Sequence, residues 1–116
     1  MSSEEKIAKK TSVRRSAAEK APVKSADVED LLCVLAKLDD EDVIFALLED
    51  LFTIREIRET SQRLAVARLL AAGKSYAMIE QTTGASATTI ARVSKCLSYG
   101  TGGYAAALKI LDEEDE

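Results

Sequence analysis

The residues best suited to chemistry lie in one short stretch. Ser86, Ala87, Thr88, Thr89, Arg92 and Lys95 fall together on a segment whose spacing predicts a helix. Ser and Thr hydroxyls and a helix N-terminus bond phosphate oxygens. A Thr methyl touches a thymine methyl, and Arg reads the O6 and N7 of guanine. Ala87 and Ala91 are small enough to permit close approach. Catalytic chemistry has far less to work with. The chain has no His and hence lacks the commonest general base and metal ligand. Cys33 and Cys96 form no CxxC or Cys/His spacing, and both are expected as reduced, buried thiols. No nucleophile motif, Gly-rich phosphate loop or metal-ligand spacing is present, so the expectation is no enzyme, no metal and no cofactor.

A helix-turn-helix over 76–98 would present those residues. Such a unit needs a short first helix, a tight turn and a second helix with a free outer face. Ser75 caps a helix near 76–82, Gly84 permits the turn, and Ser86 caps a helix near 87–98. Ile79 joins the two helices. Ile90, Val93 and Leu97 recur at i, i+3 and i+7 and face inward, leaving Ser86, Thr88, Thr89, Arg92 and Lys95 to face outward. A capped helix pair in an ordinary helical protein would show the same layout, so layout alone leaves both readings open.

The remaining sequence supplies the scaffold. Aromatic residues are 4% of 116 and there is one Pro, a balance that favours helices. Ser25 caps a helix near 26–38, with Leu31, Leu32, Leu35 and Leu38 as its expected buried face. Asp39 is expected to cap a second, near 40–51, with Val43, Ile44, Leu47, Leu48 and Leu51 as its stripe. Thr53 and Glu56 match a capping box that opens a third helix, near 54–71. From Leu64 onward this helix is apolar nearly all round, which predicts burial on more than one side and a second subunit as cover. A final helix is expected near 104–111, followed by a frayed acidic tail at 112–116.

The net charge of −4 conceals segregation. Residues 1–25 carry +4, residues 26–61 carry −8, residues 62–99 carry +4 and residues 100–116 carry −4. A partner senses the local field, so the acidic total does not exclude a polyanion. Residues 1–25 read as a disordered basic tail, either a solvated segment or an arm that reaches DNA phosphates. The charged N-terminus lacks an apolar core, and no apolar run approaches the roughly 20 residues of a membrane span. The expected location is therefore the cytoplasm.

From about Leu31 to Leu111 the sequence resembles the tryptophan-repressor superfamily, and within it the YerC/YecD group of repressor-like proteins. The resembling stretches are 51–57 (LFTIREI), 62–70 (QRLAVARLL), 83–93 (TGASATTIARV) and 96–100 (CLSYG). The resemblance implies an all-α fold in which subunits interlock through their N-terminal helices as a homodimer. It implies double-stranded DNA as partner and transcriptional regulation as role. The whole domain is then 26–111. The same resemblance implies that tryptophan is not the corepressor. Arg92 matches an arginine that meets the tryptophan carboxylate, but Val93 stands where the repressor has a Gly that makes room for the ligand. Gln62 stands where a second arginine is expected, with Arg63 beside it. The competing expectation is a helical protein-interaction module that keeps the fold without binding DNA, motivated by the acidic stretch 26–61.

Overall fold

The computed structural model describes residues 24–115, so most of the basic N-terminal tail expected from the sequence lies outside the described residues. Six helices follow in order, with no strand among the described residues: α1 (Ala26–Lys37), α2 (Glu41–Leu51), α3 (Ile54–Ala71), α4 (Tyr76–Thr83), α5 (Ala87–Tyr99) and α6 (Gly103–Asp115). The all-α expectation holds.

Most helix starts are set by a local side chain that accepts a backbone N–H left over at the first turn. Ser25 Oγ accepts from Val28 at 3.3 Å. Asp40, not the expected Asp39, caps α2, with its Oδ1 accepting from Asp42 at 2.9 Å and Val43 at 3.3 Å. Two adjacent Asp residues offer the same chemistry, and only the chain direction at 40 distinguishes them. At α3, Thr53 Oγ1 accepts from the Glu56 N–H at 3.1 Å, and Glu56 Oε1 accepts from the Thr53 N–H at 2.9 Å. The Thr53 N–H, aided by its hydroxyl, holds the Glu56 carboxyl below its ordinary pKa. α3 ends in a Schellman motif, with Gly73 N–H bonded to Leu70 O and Lys74 N–H to Leu69 O. Gly73 sits at φ +79°, a conformation that favours glycine.

The chain divides into two units, whose described parts are residues 24–59 and 60–115, with α3 passing from one to the other. In the first, no residue of α1 or α2 is buried. Leu35 and Leu38 are half-buried, whereas Leu31 (38%) and Leu32 (46%) are exposed, so the expected buried face of α1 is only half covered. Val43, Phe45, Leu51, Phe52 and Ile54 are also exposed. Two helices of three turns each are too short to enclose a core alone.

The second unit holds the core. Val66 and Ala67 of α3, Ile79 of α4, Ala85 of the turn, Ile90 and Val93 of α5 and Leu108 of α6 are buried together. Leu64, Leu69, Leu70, Leu97, Tyr104 and Leu111 flank them. Removing one such Ile or Val from water is worth about 1.5–3 kcal/mol. The exposed Arg68–Asp115 ion pair is worth at most about 1 kcal/mol, so packing and not charge holds this unit.

Two expectations need correction. The last helix does not stop near 111 but runs through the acidic residues to Asp115, where Arg68 reaches back to it. Glu is a good helix former, and one cation on α3 offsets part of the charge. Both cysteines are free but exposed, not buried. Cys33 lies on a helix with no buried residue, and Cys96 lies outside the Ile90–Val93–Leu97 stripe of α5.

Candidate nucleic-acid interface

α4, a short turn and α5 form the helix-turn-helix expected over 76–98, and each local signal does the work assigned to it. Ser75 Oγ accepts from Met78 N–H at 3.2 Å and starts α4. Gly84 closes α4 at φ 76°, in the left-handed region, with its N–H on Glu80 O at 2.9 Å. A residue with a side chain would be strained there. Ser86 Oγ then accepts from Thr89 N–H at 3.2 Å and starts α5. Ile79 and Ile90 are fully buried and Val93 nearly so, which sets the rotation of α5 about its axis to within the width of that apolar face.

That rotation decides which side chains meet solvent. Ser86, Ala87, Thr88, Arg92 and Lys95 are exposed, as expected. Thr88, Arg92 and Lys95 recur at i, i+4 and i+7 and therefore line one stripe of α5. Thr89 is half-buried, and its hydroxyl accepts from Ser86 Oγ at 3.1 Å. It serves the cap as much as the outer face. No Asp or Glu occurs between Glu80 and Asp112, so nothing on α5 opposes an anion. Neither Arg92 nor Lys95 forms an ion pair among the described residues. The arrangement offers two unneutralised cations, two exposed hydroxyls and the exposed first turn of α5 along one helix, a set of groups that suits a phosphate backbone and base edges.

Sequence reasoning missed the group that ties this unit to the scaffold. Gln62, on α3, donates its side-chain amide to the Thr83 carbonyl at 3.0 Å. The Thr83 hydroxyl donates to Ile79 O at 2.7 Å and accepts from the Ala85 N–H at 3.1 Å. A Thr just before a turn glycine is a local sign of such a role. A partner 21 positions away in sequence leaves no periodic trace. A cleft of about 590 Å³ also opens beside Arg63, Leu64, Cys96, Gly100 and Tyr104. No group of His, Cys, Asp or Glu among the described residues is arranged to hold a metal ion.

Fold and site together define an all-α helix-turn-helix protein. The chain belongs to the Trp repressor protein family, which it matches over residues 26–112. It is 39% identical over 93 residues to the uncharacterised protein YerC of Bacillus subtilis (strain 168), covering 80% of this chain and 89% of that one. The fold also matches a provisionally assigned Trp repressor from Staphylococcus aureus, with TM-score 0.76 and 34% identity over 84% of this chain and 96% of that one. A TrpR-like protein from Eubacterium eligens ATCC 27750 matches with TM-score 0.73 and 39% identity, over 77% of this chain and 92% of that one. The resemblance seen in the sequence, including its YerC group, therefore holds.

Proposed function

We propose that this protein is a sequence-specific, duplex-DNA-binding regulator of transcription that acts in the cytoplasm as a homodimer. The observation that carries the reading is the exposed stripe Thr88–Arg92–Lys95 beside the capped N-terminus of α5, on a helix free of acidic residues. In a helix-turn-helix, the second helix enters the major groove with its N-terminal residues nearest the bases. Ser86, Ala87, Thr88 and Thr89 occupy that end here, and Arg92 and Lys95 follow one and two turns later. Family membership supports the same role.

The dimer is supported by the first unit. Its Leu31, Leu32, Val43, Phe45, Leu51 and Phe52 are large apolar side chains left exposed within one short stretch of chain, which favours an association surface there. A second copy of the chain is the cover proposed. Sedimentation should give a dimer at micromolar concentration, and a monomer there would overturn this part. The dimer also supplies two reading heads, which makes paired half-sites the expected target.

Binding is independent of tryptophan on this reading. Val93 is 1% exposed and is spent on the core. Gln62 is engaged with the turn. Both features support a site closed to tryptophan, although Arg92, the match to the carboxylate-binding arginine, is still exposed. The test of the function as a whole is duplex binding as a function of salt. Affinity should fall with a log–log slope of about −0.9 per phosphate contacted. A chain that binds no duplex at any salt, yet captures a basic protein through residues 26–61, would favour the alternative of an interaction module. The charge of −8 on that stretch is the observation behind it.

A further inference from the structure

Apolar packing joins α3 to the helix-turn-helix through Val66 and Ala67 on one side and Ile79, Ile90 and Val93 on the other. Such contact is strong but non-directional, and it tolerates small slides and rotations. Reading base edges demands more, because the contacting groups must be held to within about 0.5 Å. A directional contact is needed somewhere, and one is present. The Gln62 amide bonds the carbonyl of Thr83, the last residue of α4. That carbonyl is one of the four that a helix end leaves without a partner of its own. The same amide nitrogen lies 3.9 Å from where a Cβ on Gly84 would stand, so it sits over the turn itself. On the other side of Thr83, its hydroxyl spans Ile79 O and Ala85 N–H, binding the last turn of α4 to the first residue beyond Gly84. α3, the end of α4 and the approach to α5 thus share one chain of hydrogen bonds.

We infer that Gln62 is a positioning residue for DNA reading: its amide clamps the turn to α3 and so sets the angle at which α5 presents Thr88, Arg92 and Lys95. The inference rests on the DNA-binding reading above and goes beyond it. Gln62 itself touches no DNA. It acts through Thr83, and it holds the head in place without any ligand.

The test uses the full chain as wild type, Gln62→Met and Gln62→Glu. Met keeps the length and shape of the side chain without the donor. Glu keeps the shape and polarity but presents an acceptor to an acceptor. A duplex is first selected from a random pool with the wild type, and a scrambled duplex serves as control. Both variants should bind the selected duplex about two- to tenfold more weakly, the worth of one hydrogen bond. Affinity for the scrambled duplex should be unchanged, because phosphate contacts tolerate a tilted head. Amide hydrogen exchange at Gly84 and Ala85 should speed up in both variants, while the unfolding midpoint moves by only a few degrees. Variants that bind the selected duplex like wild type would overturn the inference. So would an equal loss on both duplexes, which marks general loosening and not a mis-aimed head. A wild type that selects no sequence overturns the DNA-binding reading instead. Exchange then judges the clamp alone, and unchanged rates at Gly84 and Ala85 would remove it too.

Discussion

Ser86 holds two jobs that a pair of substitutions can separate. Its Oγ caps α5 by accepting from Thr89 N–H at 3.2 Å, and it stands exposed at the helix end proposed to face DNA. Ser86→Ala removes the acceptor and leaves a first-turn donor to water. Loss of such a cap costs about 1 kcal/mol, within a range of about 0.5–2. For a domain of this size, 1 kcal/mol corresponds to a fall of roughly 4–8 °C in Tm. Ser86→Asp keeps an acceptor for the Thr89 N–H, and the Thr89 hydroxyl can turn to donate to it. Its negative charge also favours the helix dipole by about 0.3–1 kcal/mol, so Tm should stay level or rise. DNA binding should run in the opposite order. A carboxylate about 4 Å from a phosphate is repelled by about 1 kcal/mol in bulk water and about 4 kcal/mol at an effective dielectric near 20. Each reading head should therefore lose between about fivefold and several hundredfold in affinity, and the Ala variant should bind better than the Asp variant despite melting earlier. Circular dichroism at 222 nm gives the melting order, and fluorescence anisotropy with the selected duplex gives the binding order. An Asp variant that melts with the Ala variant would remove the cap from Ser86. An Asp variant that binds like wild type would turn the N-terminus of α5 away from DNA, and the proposed interface with it.

Four further outcomes can be checked beside it. Arg92→Ala should leave Tm within a degree or two, since the side chain is exposed, yet weaken specific binding by about 1–3 kcal/mol if it reads a base; an early melt with normal binding would mean that α5 is rotated from its assigned register. Gly84→Ala forces a Cβ into φ 76° and should destabilise by roughly 1–2 kcal/mol, read as a shifted urea midpoint. Removing residues 1–24 should preserve the helical signal and make the salt dependence of binding shallower by about 0.9 for each phosphate contact the arm supplied; an unchanged slope assigns that segment no contact. Calorimetry with L-tryptophan should show no saturable heat at submillimolar ligand and no gain in DNA affinity, and either signal would contradict a Val93-filled site.

What was legible in the sequence was whatever is local. Ser25, Thr53 with Glu56, Ser75 and Ser86 each act on an N–H three residues on, so the sequence spacing is itself the geometry. Gly84 was legible because a tight turn requires a conformation that few other residues accept. The inward stripe Ile90–Val93–Leu97 was legible because helical period alone fixes a face. The failures are non-local or degenerate. Asp39 and Asp40 are chemically equal candidates, and α2 uses the second. The acidic run after Leu111 reads as solvated, yet it continues α6 until Arg68, 47 positions earlier, meets Asp115. The Gln62–Thr83 bond joins two ordinary polar residues whose meeting depends on tertiary packing. The apolar periods of α1 and α2 state correctly that these helices have a greasy side, but period cannot say which chain covers it.

The uncovered side of α1 and α2 also bears on how stability itself should be measured. If those leucines and phenylalanines meet their cover only on a second copy, folding of residues 24–59 and association are one event. The melting temperature then depends on how much protein is in the cuvette, because dilution removes a binding partner by mass action. In the proposed dimer, a Leu32 substitution would be weak or strong according to concentration, while an Ile79 substitution in the enclosed core would act largely through the chain that carries it. A cell that makes little of this protein would hold part of it as single chains with frayed first helices. The amount synthesised would then set how many paired reading heads exist, making expression level itself a control on occupancy.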